Sequence, residues 1–252
     1  MIQWVYERAL QAALTLNPFT APIVATDDDR IFAAVRAFGG EARMTDATHT
    51  SGTDRLAEIA REVVADIYVN IQGDEPLLDP RAIAQVVQLI SEHGFEMSTL
   101  MAPLASRAEL ENPSAVKVLA DTNRRAIYFS RLPIPYSRQS APAANFACHH
   151  HIGLYAYRRE TLLRLSMLSP SPLELAESLE QLRALENGIA IGIEPIVEPA
   201  DARLRSFGVD TPEDLERVRA LLDPQARFLD PQTRSSDRPA PLPPLPDHRS
   251  PK

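Results

Sequence analysis

The strongest constraint on the fold is an alternation: from Met1 to His93, segments with helical spacing and short apolar, β-rich runs take turns along the chain. Ile2, Val5, Ala9, Ala13 and Leu16 recur at helical spacing, with Glu7, Arg8 and Gln11 mostly elsewhere on the wheel, which predicts an amphipathic helix over Met1–Leu16. Pro22–Thr26 reads as a strand, the three aspartates at 27–29 as a turn, and a helix through Ala33, Val35 and Phe38 stops at Gly39-Gly40 before a strand at Glu41–Met44. A helix over Thr50–Val64, with Ser51 or Thr53 as its cap, leads to a buried strand at Asp66–Ile71, the polar turn Gln72–Pro76 and a helix over Asp79–His93. Such alternation predicts an α/β fold with a doubly wound, mostly parallel sheet, in which ligands gather beyond the carboxyl ends of the strands. The Gln72–Pro76 turn falls there.

From Met97 to Tyr157 the texture changes to short β-rich pieces at 97–101, 116–120, 126–129 and 152–157, broken by Pro and Asn, which predicts an antiparallel insertion. A helix over Leu173–Asn187 ending at Gly188, a strand over Ile189–Val197, the triplet Gly208-Val209-Asp210 and a helix over Pro212–Leu222 complete a folded unit of residues 1–222. Residues 223–252 are Pro-rich, polar and aperiodic, the composition of a disordered tail, and no internal repeat is present.

A formal charge of −8 and a pI near 5.3 argue against a general nucleic-acid binder, which draws on clustered Lys and Arg to displace counterions. Any anionic ligand must be held locally. Cys148 is the single cysteine, so no intrachain disulfide can form. No apolar run approaches the roughly 20 residues that cross a bilayer, so no membrane insertion is expected, and the first residues lack a signal-peptide layout. A cytoplasmic location is the expectation.

Asp74 and Asp210 each follow an apolar run and a glycine, so a doubly wound sheet could bring both to one strand-end edge, where two carboxylates suit a hydrated Mg²⁺. The same stretches are also good turn chemistry and a good helix start without any metal. His49-Thr-Ser-Gly-Thr-Asp-Arg55 offers hydroxyls, a glycine and an arginine ahead of a helix, suited to an anion or a base, and equally to a capped helix after a polar loop. Arg131 could fork onto a carboxylate and His151 could bond a sugar hydroxyl, although each alone reads as an ordinary surface residue. Glu180 and Gln181, within a Glu- and Leu-rich helical stretch, read as its solvated face.

Taken together, His49–Glu58, Val69–Pro76, Tyr128–Arg131, His151–Tyr157, Ser171–Glu174, Leu179–Arg183 and Gly208–Leu215 resemble, in order, the words of the cytidylyltransferases that activate 3-deoxy-manno-octulosonate (Kdo) with CTP. The resemblance implies attack of the anomeric hydroxyl of Kdo on the α-phosphorus of CTP, giving CMP-Kdo and pyrophosphate for lipopolysaccharide synthesis. It implies Asp74 and Asp210 as catalytic residues that hold Mg²⁺, with Ser51, Arg55 and Gln72 on the nucleotide. It implies Arg131, His151, Tyr155, Glu180 and Gln181 in the sugar-acid pocket, and a homodimer through the inserted region. A non-catalytic paralogue that binds a sugar acid, or a cytidylyltransferase for a related keto-acid sugar, fits the same residues.

The family opens with an apolar strand and an Arg- and Lys-rich loop around the CTP phosphates, for which this sequence has no counterpart. The first strand of the sheet is therefore expected to be missing. A chain without that strand and loop is expected to fold poorly and turn over little, since each preorganised donor is worth ~2.7–4 kcal/mol of barrier. The pattern is the one expected of a start codon assigned too late or of a gene broken upstream.

Overall fold

The computed structural model describes residues 1–16, 20–49, 51–136, 147–197, 208–209 and 211–222. Thr50, Asp210 and the tail 223–252 lie outside the described residues.

The chain begins with α1 (Ile2–Thr15), β1 (Ile23–Thr26), α2 (Asp29–Ala37), β2 (Glu41–Met44), α3 (Gly52–Glu62), β3 (Ile67–Asn70) and α4 (Pro80–Ser91), the order that the periodicities predict. Local chemistry sets these ends. Asp28 caps α2 by accepting from Arg30 N–H and Ile31 N–H, Ser51 caps α3 through Asp54 N–H, and Asp79 caps α4, whose first turn carries Pro80. Gly39, at φ 84°, turns the chain out of α2 in a conformation that a side chain would strain.

The remainder is β4 (Met97–Ala102), α5 (Arg107–Glu111), β5 (Lys117–Ala120), β6 (Ala126–Ser130), β7 (His149–Arg158), α6 (Arg159–Leu165), α7 (Pro172–Glu177), α8 (Gln181–Glu186), β8 (Ile191–Pro195) and α9 (Pro212–Leu222). Six strands form one sheet in the order β6-β5-β7-β4-β8, with β3 on the same edge of β7 as β5; β1 and β2 pair in parallel as a separate sheet. Because β3, β4 and β5 are each antiparallel to β7 and β8 is parallel to β4, four strands of the larger sheet point one way. The strands expected as an antiparallel insertion do pair antiparallel with one another, within the same sheet as β3 and β8.

β7 shows why this sheet needs cover on both faces. Ile152, Leu154 and Ala156 face α1 and α4, packing with Ala9, Ala12, Ile83 and Val86; Tyr157, on the alternate face, packs with Ala57, Leu162 and Leu182 of α3, α6 and α8. His151, Tyr155 and Tyr157 share that second face, and the candidate site is built there.

One helix expected over Leu173–Asn187 is instead two. Ser178 sits in the left-handed region at φ 52° and ψ 50°, and the chain turns there between α7 and α8. The helical periodicity runs through this break because it reports side-chain spacing and not one residue's backbone angles. The turn directs Glu180 inward and leaves Gln181 only 6% exposed, so the reading of both as a solvated face is corrected.

Candidate active site

The amino end of α3 is the centre of the candidate site. Ser51 Oγ accepts from Asp54 N–H at 3.1 Å and lies 3.0 Å from both Asp54 Oδ2 and Glu180 Oε1; its one proton serves one carboxylate at a time. Thr53 Oγ1 donates to Glu180 Oε2 at 2.8 Å. Burial pushes the Glu180 carboxyl up, and these hydroxyl bonds only partly offset it. Gly52 lets neighbouring amides come close: a Cβ there would stand 3.4 Å from Asn70 Nδ2 and 3.8 Å from Gln72 Nε2. Asn70, at the end of β3, thus joins a site in which the sequence suggested only Gln72.

Arg55 reaches the ends of the smaller sheet, pairing with Asp27 Oδ2 at 3.1 Å and donating to Thr45 Oγ1. It ties that sheet to α3. The loop before α3 is pinned in turn, because Glu58 accepts from Asp46 N–H and contacts His49 Nε2.

Beside Glu180 is a cavity of about 130 Å³ lined by Thr53, Met97, Tyr155, Tyr157, Leu165, Glu180 and Gln181. Tyr155 and Tyr157 stack at 6.0 Å, and burial pushes both phenols up, so they are neutral hydroxyls. His151 continues this row, 5.4 Å from the Tyr155 ring and edge-on to Phe129 at 5.0 Å. Burial, reinforced by His150, lowers its imidazole to about 3. A larger, more open depression of about 590 Å³ surrounds His93, Phe95, Arg124 and Arg125, and none of the candidate residues lines it.

Arg131 stands at the carboxyl end of α7. Its Nε donates to Glu177 O at 2.8 Å, and its two terminal nitrogens donate to Pro113 O at 3.1 Å and Ser178 O at 3.3 Å. The guanidinium thus caps the α7 turn, and Glu177 returns the contact by accepting from Ser130 Oγ and Arg131 N–H. Lys117, fully buried, donates to Asn112 O and Arg131 O beneath this junction. Nothing in the local sequence marks Lys117, because a lysine in a strand reads as solvent-facing until its sheet neighbours are known.

Asp74 lies in the turn after β3. Its carbonyl accepts from Val209 N–H at 2.9 Å, which brings residues 208–209 beside it, while Asp210 lies outside the described residues. Among the described residues no group bonds the Asp74 carboxylate, and no cluster of three or more His, Cys, Asp or Glu could hold a metal ion. One free, partly exposed carboxylate at a strand end fits Mg²⁺, which takes one or two protein carboxylates and completes its shell with water and phosphate oxygens.

The cytidylyltransferase family profile matches residues 1–193. The chain is 45% identical over 227 residues to the 3-deoxy-manno-octulosonate cytidylyltransferase of Geobacter metallireducens, covering 86% of this chain and 85% of that one. It is 49% identical over 222 residues to the enzyme of that name from Solibacter usitatus, covering 88% and 83%. Among solved structures, a CMP:2-keto-3-deoxy-manno-octonic acid synthetase complexed with CTP superposes with a TM-score of 0.77 at 46% identity, over 90% of this chain and 88% of that one. A glucose-1-phosphate thymidylyltransferase from Bacillus anthracis, 17% identical with a TM-score of 0.57, shares the fold. With a profile match over most of its length and relatives near half identity, the chain belongs to the cytidylyltransferase family, among the 3-deoxy-manno-octulosonate cytidylyltransferases.

Proposed function

We propose that this chain transfers CMP from CTP to Kdo. The anomeric oxygen bonds to the α-phosphorus, the bond to pyrophosphate breaks, and the hydroxyl proton is released. The observation that carries the reading is the contact between Ser51 and Glu180, 129 residues apart in sequence and 3.0 Å apart in space. It joins the loop resembling a nucleotide site to the helix elbow resembling a sugar-acid site, the juxtaposition that a two-substrate transfer requires. The identity to named Kdo cytidylyltransferases and the likeness to a CTP-complexed synthetase support the same reading.

Within it, Gln72 and Asn70 present amides to the cytosine edge beside Gly52, and Ser51 offers a hydroxyl at the α3 amino end. Glu180, Gln181, Tyr155 and His151 receive the sugar hydroxyls. Arg131 serves the sugar carboxylate by exchanging a backbone carbonyl for it. Mg²⁺ held by Asp74 and Asp210 would supply charge neutralisation at the phosphates.

A homodimer belongs to the proposal. β6 is an edge strand, and Ile127, Leu132 and Tyr136 on it and after it are 56%, 67% and 88% exposed. No helix among the described residues is long and apolar enough to cross a membrane, which suits a cytoplasmic reaction on soluble substrates.

The test is to incubate the full chain with CTP, Kdo and Mg²⁺, assay pyrophosphate and CMP-Kdo, and run related keto-acid sugars alongside. Formation of CMP-Kdo, faster than with the related sugars, is expected. A better rate on another sugar acid reassigns the substrate, and no product with any of them overturns the reading. Asp74→Ala is expected to remove nearly all Mg²⁺-dependent turnover, and an unchanged rate sinks the metal assignment.

A further inference from the structure

His151 contacts Thr99 of β4 through Nε2, at 3.0 Å from the Thr99 hydroxyl oxygen. That hydroxyl has a single proton, and it goes to Ile152 O at 2.9 Å. The oxygen therefore faces Nε2 with a lone pair, and Nε2 must carry the ring proton. A neutral imidazole holds only one, so Nδ1 is left as an acceptor. Burial disfavours the charged ring and pushes its titration down. Thr99 is itself fully buried, so water cannot replace its hydroxyl, and Phe129 and Tyr155 flank the imidazole. Nδ1 has no hydrogen-bond partner among the described residues, yet it is not among their sealed, unpartnered polar atoms. It is left as an acceptor without a partner among the described residues, beside the rings of Phe129 and Tyr155.

We propose that Thr99 is a positioning residue that fixes His151 in its Nε2–H tautomer, so that Nδ1 accepts a hydrogen bond from a hydroxyl of the bound sugar acid. The ligand part of this statement rests on the proposed function; the tautomer does not. A histidine free to exchange tautomers would bind a hydroxyl donor or an acceptor equally. A locked acceptor selects a hydroxyl and disfavours a carbonyl or ether oxygen at that position, because two facing lone pairs leave a buried group unsatisfied. The residue acts through the ring and touches no substrate.

The experiment is ¹⁵N–¹H correlation spectroscopy of the full chain with ¹⁵N-labelled histidine, the His151 signals being assigned by their loss in His151→Gln. A protonated Nε2 and an unprotonated Nδ1 are expected in the wild type and in Thr99→Ser, and mixed tautomers in Thr99→Val. A wild-type ring protonated at Nδ1, or an unchanged pattern in Thr99→Val, overturns the proposal. Should Thr99→Val not fold, the wild-type and Thr99→Ser spectra decide alone. In the transfer assay Thr99→Val is expected to raise KM for Kdo about tenfold with kcat within about twofold, the size of one mis-paired hydrogen bond, and Thr99→Ser to restore it. An unchanged KM alongside mixed tautomers refutes the ligand part. If the chain forms no CMP-Kdo at all, the functional reading fails while the spectra still judge the tautomer.

Discussion

Replacing Arg183 by Met should destabilise the protein by about 3–5 kcal/mol, the range for stranding one member of a buried ion pair. Arg183 is 7% exposed and Glu174 8%. The guanidinium Nε donates to Glu174 Oε2 at 2.8 Å, a terminal nitrogen pairs with Oε1, and the other reaches Leu168 O at 3.3 Å. Without the arginine, the described contacts leave the carboxylate only Ser171 N–H, at 2.9 Å. An exposed pair would contribute at most about 1 kcal/mol. At roughly 2–4 °C per kcal/mol for a chain of this size, the midpoint should fall by about 6–20 °C, read by circular dichroism on heating, with urea titration giving the free energy. Burial pushes the Glu174 carboxyl up, but the hydrogen bonds from Arg183 and Ser171 outweigh it and its titration is lowered overall. For a group lowered in this way, the pair's stabilisation is complete above the ordinary glutamate range and is lost as pH falls through the folded value. The gap between wild type and variant should therefore narrow in acid. Pairing Arg183→Met with Glu174→Leu should recover much of the loss, since the stranded charge is then gone. A loss below about 1 kcal/mol at neutral pH, or a gap independent of pH, would refute the reasoning. Turnover should fall with stability, because this pair sets the α7–α8 elbow that carries Glu180 and Gln181 into the site.

Two further outcomes follow from the packing. His151 titrates near 3 in the folded chain and about 6.5 when unfolded, so its contribution is complete above about pH 6.5 and lost on acidification towards pH 3, by up to about 1.4 kcal/mol per pH unit; urea titrations across that window should show a shallower slope in His151→Gln, and parallel slopes would refute the assignment. A Cβ on Gly192 would stand 2.5 Å from Phe95 Cδ2 and 2.6 Å from Cγ, so Gly192→Ala should cost about 1–3 kcal/mol, and Phe95→Leu should relieve part of it; an unchanged urea midpoint would contradict this close approach.

What the sequence determined by itself is local. The elements from α1 to α4 are legible because helical spacing, the strand-type runs and the caps Asp28, Ser51 and Asp79 each act within a few residues. Ordered words shared with a family nominated candidate residues for the site, though without their contacts. Tertiary structure decided the rest. The break at Ser178 is one residue's backbone angle, invisible to periodicity, and it turned Glu180 from a surface charge into the partner of Ser51 and Thr53. Arg131 caps α7, Lys117 lies buried beneath it, and Thr99 meets His151, each through a partner outside its own local segment. Sheet order makes these meetings: β7 has β4 along one edge and shares the other between β5 and β3, and no spacing within a strand reveals which strand will lie beside it.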